Sequence, residues 1–139
     1  MYPQTGNTNM KKNDRILLVC DDDAARGMYL ESLATSFRHI EFVADGDEAL
    51  QAMEQGPFDL VLLDLHPPGT AILRSIKQVS PDSEVVVITA QPNLAGAKEA
   101  VRLGAYDYLG KPIGRDRMIS VSSAALTHKG WALHAEHRA

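Results

Sequence analysis

The chain has 139 residues, 45% hydrophobic and 23% charged, which suits one globular domain with a sizeable core and leaves no room for a second. A formal net charge of −4 argues against broad electrostatic attachment to nucleic acid or anionic lipid, and no apolar run approaches the ~20 residues of a membrane span. Cys20 is the only cysteine, so an internal disulfide and a cysteine-based zinc site are excluded, and the polar, signal-less start points to a cytoplasmic protein.

In chain order, residues 1–14 read as a flexible polar leader. From Arg15 onward, short apolar runs alternate with helical patterns. Ile16–Cys20, Phe58–Leu63 and Val85–Ile88 are continuously apolar, as strands buried on both faces of a parallel sheet are. His39–Val43 and Tyr106–Leu109 read as two weaker strands. Between the strands lie five stripes with helical spacing: Leu30, Leu33, Ala34 and Phe37; Ala49, Leu50 and Met53; Ile72, Ile76 and Val79; Leu94, Ala97 and Val101; Met118, Val121 and Ala125. Each is expected to pack against the core. Gly56-Pro57, Pro81-Asp82 and Gly104 close the second, third and fourth helices.

Five alternating β/α units predict an α/β fold, a doubly wound parallel five-stranded sheet with right-handed crossovers and helices on both faces. Ligands of such sheets bind beyond the carboxyl ends of the strands, where the strand order reverses. Four strand ends carry polar residues there: Asp21-Asp22-Asp23 after the first, Asp64 after the third, Thr89-Ala90 at the fourth and Lys111-Pro112 after the fifth. Gathered carboxylates repel unless a cation offsets them, and Mg2+ suits one or two carboxylates plus water and a phosphoryl oxygen. An aspartate facing that metal and a lysine can attack phosphorus, giving an acyl phosphate. Lys111 would neutralise charge on the transferring group and Thr89 would donate to it. Each residue also has a plainer reading alone: Asp21 to Asp23 suit a helix start, Asp64 a strand-end turn and Lys111 a surface charge.

The ordered strings LLVCDDD, FDLVLLDLHPP, VVVITA and GAYDYLGKPI resemble the receiver domain of bacterial two-component response regulators, over roughly Arg15 to Leu126. The resemblance implies a CheY-like, flavodoxin-like (βα)5 fold that takes a phosphoryl group from a sensor histidine kinase or phosphotransfer protein. By the same resemblance Asp64 is the phosphoacceptor, and Asp21, Asp22, Asp64 and the backbone carbonyl of His66 hold Mg2+. Thr89 with Ala90 forms the phosphate-binding switch, Tyr108 is the switch aromatic, Lys111 the phosphate-pairing cation and Pro112 a cis-proline. It further implies signalling through the face made by helix four, strand five and helix five, with a possible homodimer there. One departure is the short segment after Pro68, where Gly69-Thr70 leads almost directly into the third helix and leaves His66 and Gln91 to position water near the acceptor.

Residues 15–127 are therefore read as the receiver domain and 128–139 as a C-terminal extension or the start of a linker. Two other functions were compatible with parts of this pattern. A degenerate receiver, a protein-binding module independent of phosphorylation, would need none of Asp21, Asp22, Asp64, Thr89 and Lys111. A phosphohydrolase of the haloacid dehalogenase kind would use Asp21 and Asp23, but Ala24-Ala25 follow and no cap domain fits the length. No basic face or second helical pair remains for DNA within the chain.

Overall fold

The computed structural model describes residues 12–66 and 70–138. Its elements alternate as β1 (Lys12–Cys20), α1 (Asp23–Ala34), β2 (Phe37–Val43), α2 (Gly46–Glu54), β3 (Leu60–Asp64), α3 (Thr70–Val79), β4 (Glu84–Thr89), α4 (Leu94–Arg102), β5 (Asp107–Gly110) and α5 (Arg115–Arg138). The strands form one five-stranded sheet in the order β2-β1-β3-β4-β5, and every neighbouring pair is parallel. The order reverses between β1 and β3, which puts the crevice at the ends of those two strands.

Period-two alternation divides the core between the two faces. Ile16, Leu18, Leu60, Leu62, Val86 and Ile88 pack against α1 and α5, through Tyr29, Leu33, Met118, Val121 and Ala125. Leu17, Val19, Val61, Leu63, Val85 and Val87 face the other side, against Ala49 and Met53 of α2, Leu73 and Ile76 of α3 and Ala100 of α4. Continuous apolar strands thus fill two cores at once, which is why no hydrophobic-polar alternation marks them.

Several expected boundaries and faces are corrected. β1 begins at Lys12, because that residue pairs with Phe37 of β2, so the strand extends into the segment read as a leader. Phe37 is buried, but it opens β2 and does not end the first helix, and Ala34 is exposed. Leu94 and Val101 of α4 are both 70% exposed and Val79 of α3 is 55% exposed, so those three positions do not belong to the core, although Ile76 of the α3 stripe does. A helical apolar repeat specifies a face and not what covers it. The helix α5 runs unbroken through the boundary expected at Thr127. His128 meets the Glu84 carboxylate and tilts against the Tyr106 ring, with centroids 5.2 Å apart, while Lys129 lies 3.4 Å from Asp59. Both side chains tie the helix to the amino-terminal edge of the sheet, so the packed domain reaches at least Lys129.

Candidate functional site

The carboxyl ends of β1, β3 and β4 and the loop after β5 enclose a cleft of about 370 Å³, lined by Asp21, Asp22, Asp64, His66, Thr89 and Lys111 among others. Ala90 and Gln91 share its wall. The segment after Pro68 lies outside the described residues, except that Thr70 already belongs to α3.

Asp64 is the last residue of β3 and only 4% exposed. Its strand parity matches Leu60 and Leu62, so its side chain points to the α1 side of the sheet. There the Oδ2 atom accepts from the Tyr29 hydroxyl at 2.8 Å and pairs with Lys111 Nζ at 2.9 Å. Cys20, the register partner of Asp64 on β1, brings its Sγ to 4.0 Å from the same oxygen. Burial works against the Lys111 ammonium, but its hydrogen bond and attraction to Asp64 outweigh that cost and raise its pKa above the ordinary lysine value. Burial, then the bond to Asp64, pushes the Tyr29 phenol upward, so Tyr29 is the donor in its pair. The Lys111–Pro112 peptide that presents the lysine is cis.

The acidic pair does two jobs. Asp22 is the N-cap of α1, its Oδ1 accepting from Ala24 N–H at 2.9 Å and Ala25 N–H at 3.3 Å. Asp21 is exposed, and its Oδ2 accepts from the His66 backbone N–H at 3.0 Å, which ties the β1 end to the β3 end. Neither Asp21 nor Asp22 is ion-paired among the described residues, whereas Asp23 pairs with Arg26 at 2.5 Å and does not line the cleft. The helix-start reading therefore applies to Asp22, and the Asp21/Asp23 couple of a phosphohydrolase is not assembled.

Among the described residues, no three acidic, cysteine or histidine side chains converge closely enough to hold a metal ion unaided. Mg2+ does not require that, because it keeps several waters and commonly takes only one or two carboxylates. The donors at this cleft are hard oxygens, and an acidic pair without a cation faces a carboxylate whose only ionic partner among the described residues is Lys111. Those residues fit Mg2+. Because Asp22 also caps a helix, Asp22→Ala should cost about 1 kcal/mol of stability as well as Mg2+ affinity. Asp22→Asn keeps a good cap, so it should weaken the metal while nearly preserving stability. Urea unfolding without metal, beside calorimetric Mg2+ titration, separates the two effects.

Thr89 is 4% exposed and its Oγ1 accepts from the Gln91 N–H at 3.1 Å. Tyr108 does not line the cleft. It is half-buried on β5, and its hydroxyl accepts from the Asn93 N–H at 3.4 Å at the start of α4. The hydroxyl occupies the space over Gly96, where an added Cβ would sit 2.4 Å from it. The first turn of α4 thus makes room for the tyrosine.

Sequence reasoning missed Tyr29. Its signal was available: it follows the cap Asp22 by seven residues, two helical turns, and so shares the face that starts at the cleft. Placing Leu30 at the head of the buried stripe rotated the helix by one residue. The buried set is Tyr29, Ser32 and Leu33.

A family model described as the response regulator receiver domain matches residues 16–122. The transcriptional regulatory protein ZraR of Escherichia coli is 34% identical over 116 residues, an alignment covering 81% of this chain and 26% of that protein. The crystal structure of NtrX from Brucella abortus in complex with ADP superposes with a TM-score of 0.83 at 32% identity, covering 91% of this chain and 29% of NtrX. The signal receiver domain of a LuxO repressor protein from Vibrio parahaemolyticus gives 0.82 at 28% identity, covering 90% and 98%. The chain thus spans about a quarter of the length of the curated relative ZraR.

Proposed function

The chain belongs to the response regulator receiver domain family, and from that premise we propose that it is a phosphorelay switch whose acceptor is Asp64. The observation that carries this reading is the pairing of a 4% exposed strand-end carboxylate with Lys111 at 2.9 Å, in a cleft shared with Asp21, Asp22 and Thr89. Such a carboxylate is held in one orientation beside a cation, the arrangement that in-line attack on a phosphoryl group requires.

The Asp64 carboxylate attacks phosphorus of the donor as the bond from phosphorus to the donor atom breaks. The donor leaves with that electron pair, and an acyl phosphate forms without a proton moving. Lys111 is placed to follow the charge from the carboxylate to the phosphoryl oxygens. Asp21, Asp22, Asp64 and the His66 carbonyl would hold Mg2+, which when bound neutralises charge on the transferring group. Thr89 would exchange its bond from the Gln91 N–H for one to a phosphoryl oxygen. The space vacated would let Tyr108 turn in from Gly96, a two-state repacking that alters the start of α4. The exposed Leu94 and Val101 on α4 support an output or homodimer surface built from α4, β5 and α5.

The phosphodonor in this reading is a sensor histidine kinase or a phosphotransfer protein, met in the cytoplasm. The chain acts as a signalling switch and turns over only its own phosphoryl group. Among the described residues, no helix is long and apolar enough to cross a membrane.

Incubation with acetyl phosphate and Mg2+, followed by intact-mass measurement, tests the proposal. A mass gain of one phosphoryl group, lost on chelation of the metal beforehand and mapped to the peptide containing Asp64, is expected. Modification mapped to any other residue would overturn it.

A further inference from the structure

The two oxygens of Asp64 are not equivalent. The Oδ2 atom receives the Tyr29 hydroxyl at 2.8 Å and Lys111 at 2.9 Å, with Cys20 Sγ 4.0 Å away. The Oδ1 atom makes no hydrogen bond to a described residue, and it is not a sealed, unsatisfied group. Among the described residues Oδ1 has no partner, which leaves it as the oxygen to attack phosphorus in this reading. Tyr29 itself is 4% exposed and packed into the core between the sheet and α1, so its hydroxyl has little freedom to leave.

We infer that Tyr29 is a positioning residue that both selects the attacking oxygen of Asp64 and shortens the life of the phosphorylated state. The inference rests on Asp64 being the acceptor. When Oδ1 bonds to phosphorus, Oδ2 changes from half of a carboxylate to the neutral carbonyl oxygen of an acyl phosphate. A hydrogen bond to an ionised acceptor is about twice as strong as one to a neutral acceptor. The Tyr29 bond therefore weakens as the phosphoryl group arrives. It strengthens as hydrolysis proceeds, when water oxygen bonds to phosphorus, the Oδ1–phosphorus bond breaks, its electron pair returns to the carboxylate and a water proton passes to solvent.

One donor thus disfavours the forward step and favours the reverse one. Lys111 cannot have the same effect, since the charge it loses on Asp64 reappears on the adjacent phosphoryl oxygens. The hydroxyl of Tyr29 carries no charge and, anchored in the core, stays with Oδ2. The neutral-to-ionised difference in hydrogen-bond strength amounts to about fivefold in the balance between phosphorylation and hydrolysis.

The test uses the full chain with acetyl phosphate and Mg2+, comparing the native protein, Tyr29→Phe, Tyr29→Leu and Asp64→Asn. Phenylalanine keeps the buried ring and removes only the hydroxyl. The expected result is that Tyr29→Phe decays more slowly after donor removal and is phosphorylated no more slowly than the native chain, the two changes multiplying to about fivefold. The 13C resonance of the Asp64 carboxyl in metal-free protein should also move in Tyr29→Phe, a signature that a ring used only for packing would not produce. Tyr29→Leu, if Tyr29→Phe does not fold, should shift the same balance in the same direction. Equal rates and an unmoved carboxyl resonance, with Asp64→Asn inert, would overturn the inference and leave Asp64 as acceptor. Faster decay in Tyr29→Phe would overturn it also. A mass gain in Asp64→Asn would instead overturn the acceptor assignment, and the role of Tyr29 with it.

Discussion

Asp64→Asn is expected to take up no phosphoryl group from acetyl phosphate and Mg2+, under conditions in which the native chain is modified. The amide nitrogen and carbonyl have nearly the shape of the carboxylate, and the amide oxygen can still accept from Tyr29, whose bond to Asp64 is 2.8 Å long. Folding should therefore survive. What is lost is the anionic nucleophile, and no neighbour can replace it in place. Asp21 and Asp22 are exposed at the end of β1, and Asp22 is committed to the cap of α1. The substitution also removes the ionic partner of Lys111, 2.9 Å away. Circular dichroism establishes that the variant is folded, and intact mass reads the phosphorylation. Asp23→Asn is the matched control, because that side chain pairs with Arg26 outside the cleft and should be modified as the native chain is. A folded Asp64→Asn protein that still gains mass would exclude Asp64 as the acceptor.

Phe58→Ala is expected to produce the largest loss of stability among single core substitutions that leave the site intact, about 3–5 kcal/mol. Phe58 is 2% exposed and is among the largest fully enclosed side chains of the core filled by α2, α3 and α4. The Arg15 guanidinium sits 4.5 Å from its ring centroid, so truncation removes that contact as well as the apolar packing. Its backbone carbonyl, which accepts from Ser83 Oγ at 2.5 Å, is untouched. Against the 5–15 kcal/mol typical of a whole domain, about a fifth of the stability or more disappears. The urea midpoint should drop by about 2 M. Phe58 precedes β3 at its amino end, whereas Asp64 is its last residue, so the folded fraction should still accept the phosphoryl group. A loss below about 1 kcal/mol would mean that neighbouring side chains collapse into the space, against the rigidity expected of a close-packed core.

These two residues differ in how readable they were. Asp64 follows Leu60-Val61-Leu62-Leu63, and although alone it suits a strand-end turn, it stood out by falling with other polar residues at one edge of the expected sheet. Asp21, Asp22, Thr89 and Lys111 stood out by the same logic, and the structure brings all four to the cleft that holds Asp64. Tyr29 did not stand out, because a tyrosine on an apolar helix face looks like core, and it is core except for one oxygen atom. His128 fell in the segment read as a C-terminal extension or linker until its contacts with Glu84 and Tyr106 put it on the packed domain.

The amino-acid order by itself determined the alternation of strand and helix, the parallel sheet and the edge at which chemistry collects. Those follow from local periodicity and from the short reach of each connection, which leave few ways to bury so many apolar strands. Only the tertiary structure decided which side of each helix meets the sheet. It buried Tyr29 and Ala100 while leaving Leu94 and Val101 outside, because a stripe of apolar residues fixes an angle around a helix but not the docking that uses it. It also decided which Asp64 oxygen is held, since that depends on a hydroxyl on α1 and an ammonium after β5 meeting one atom at the end of β3. Contacts among groups so far apart in sequence have no local signature, and they exist only once both faces of the sheet are covered.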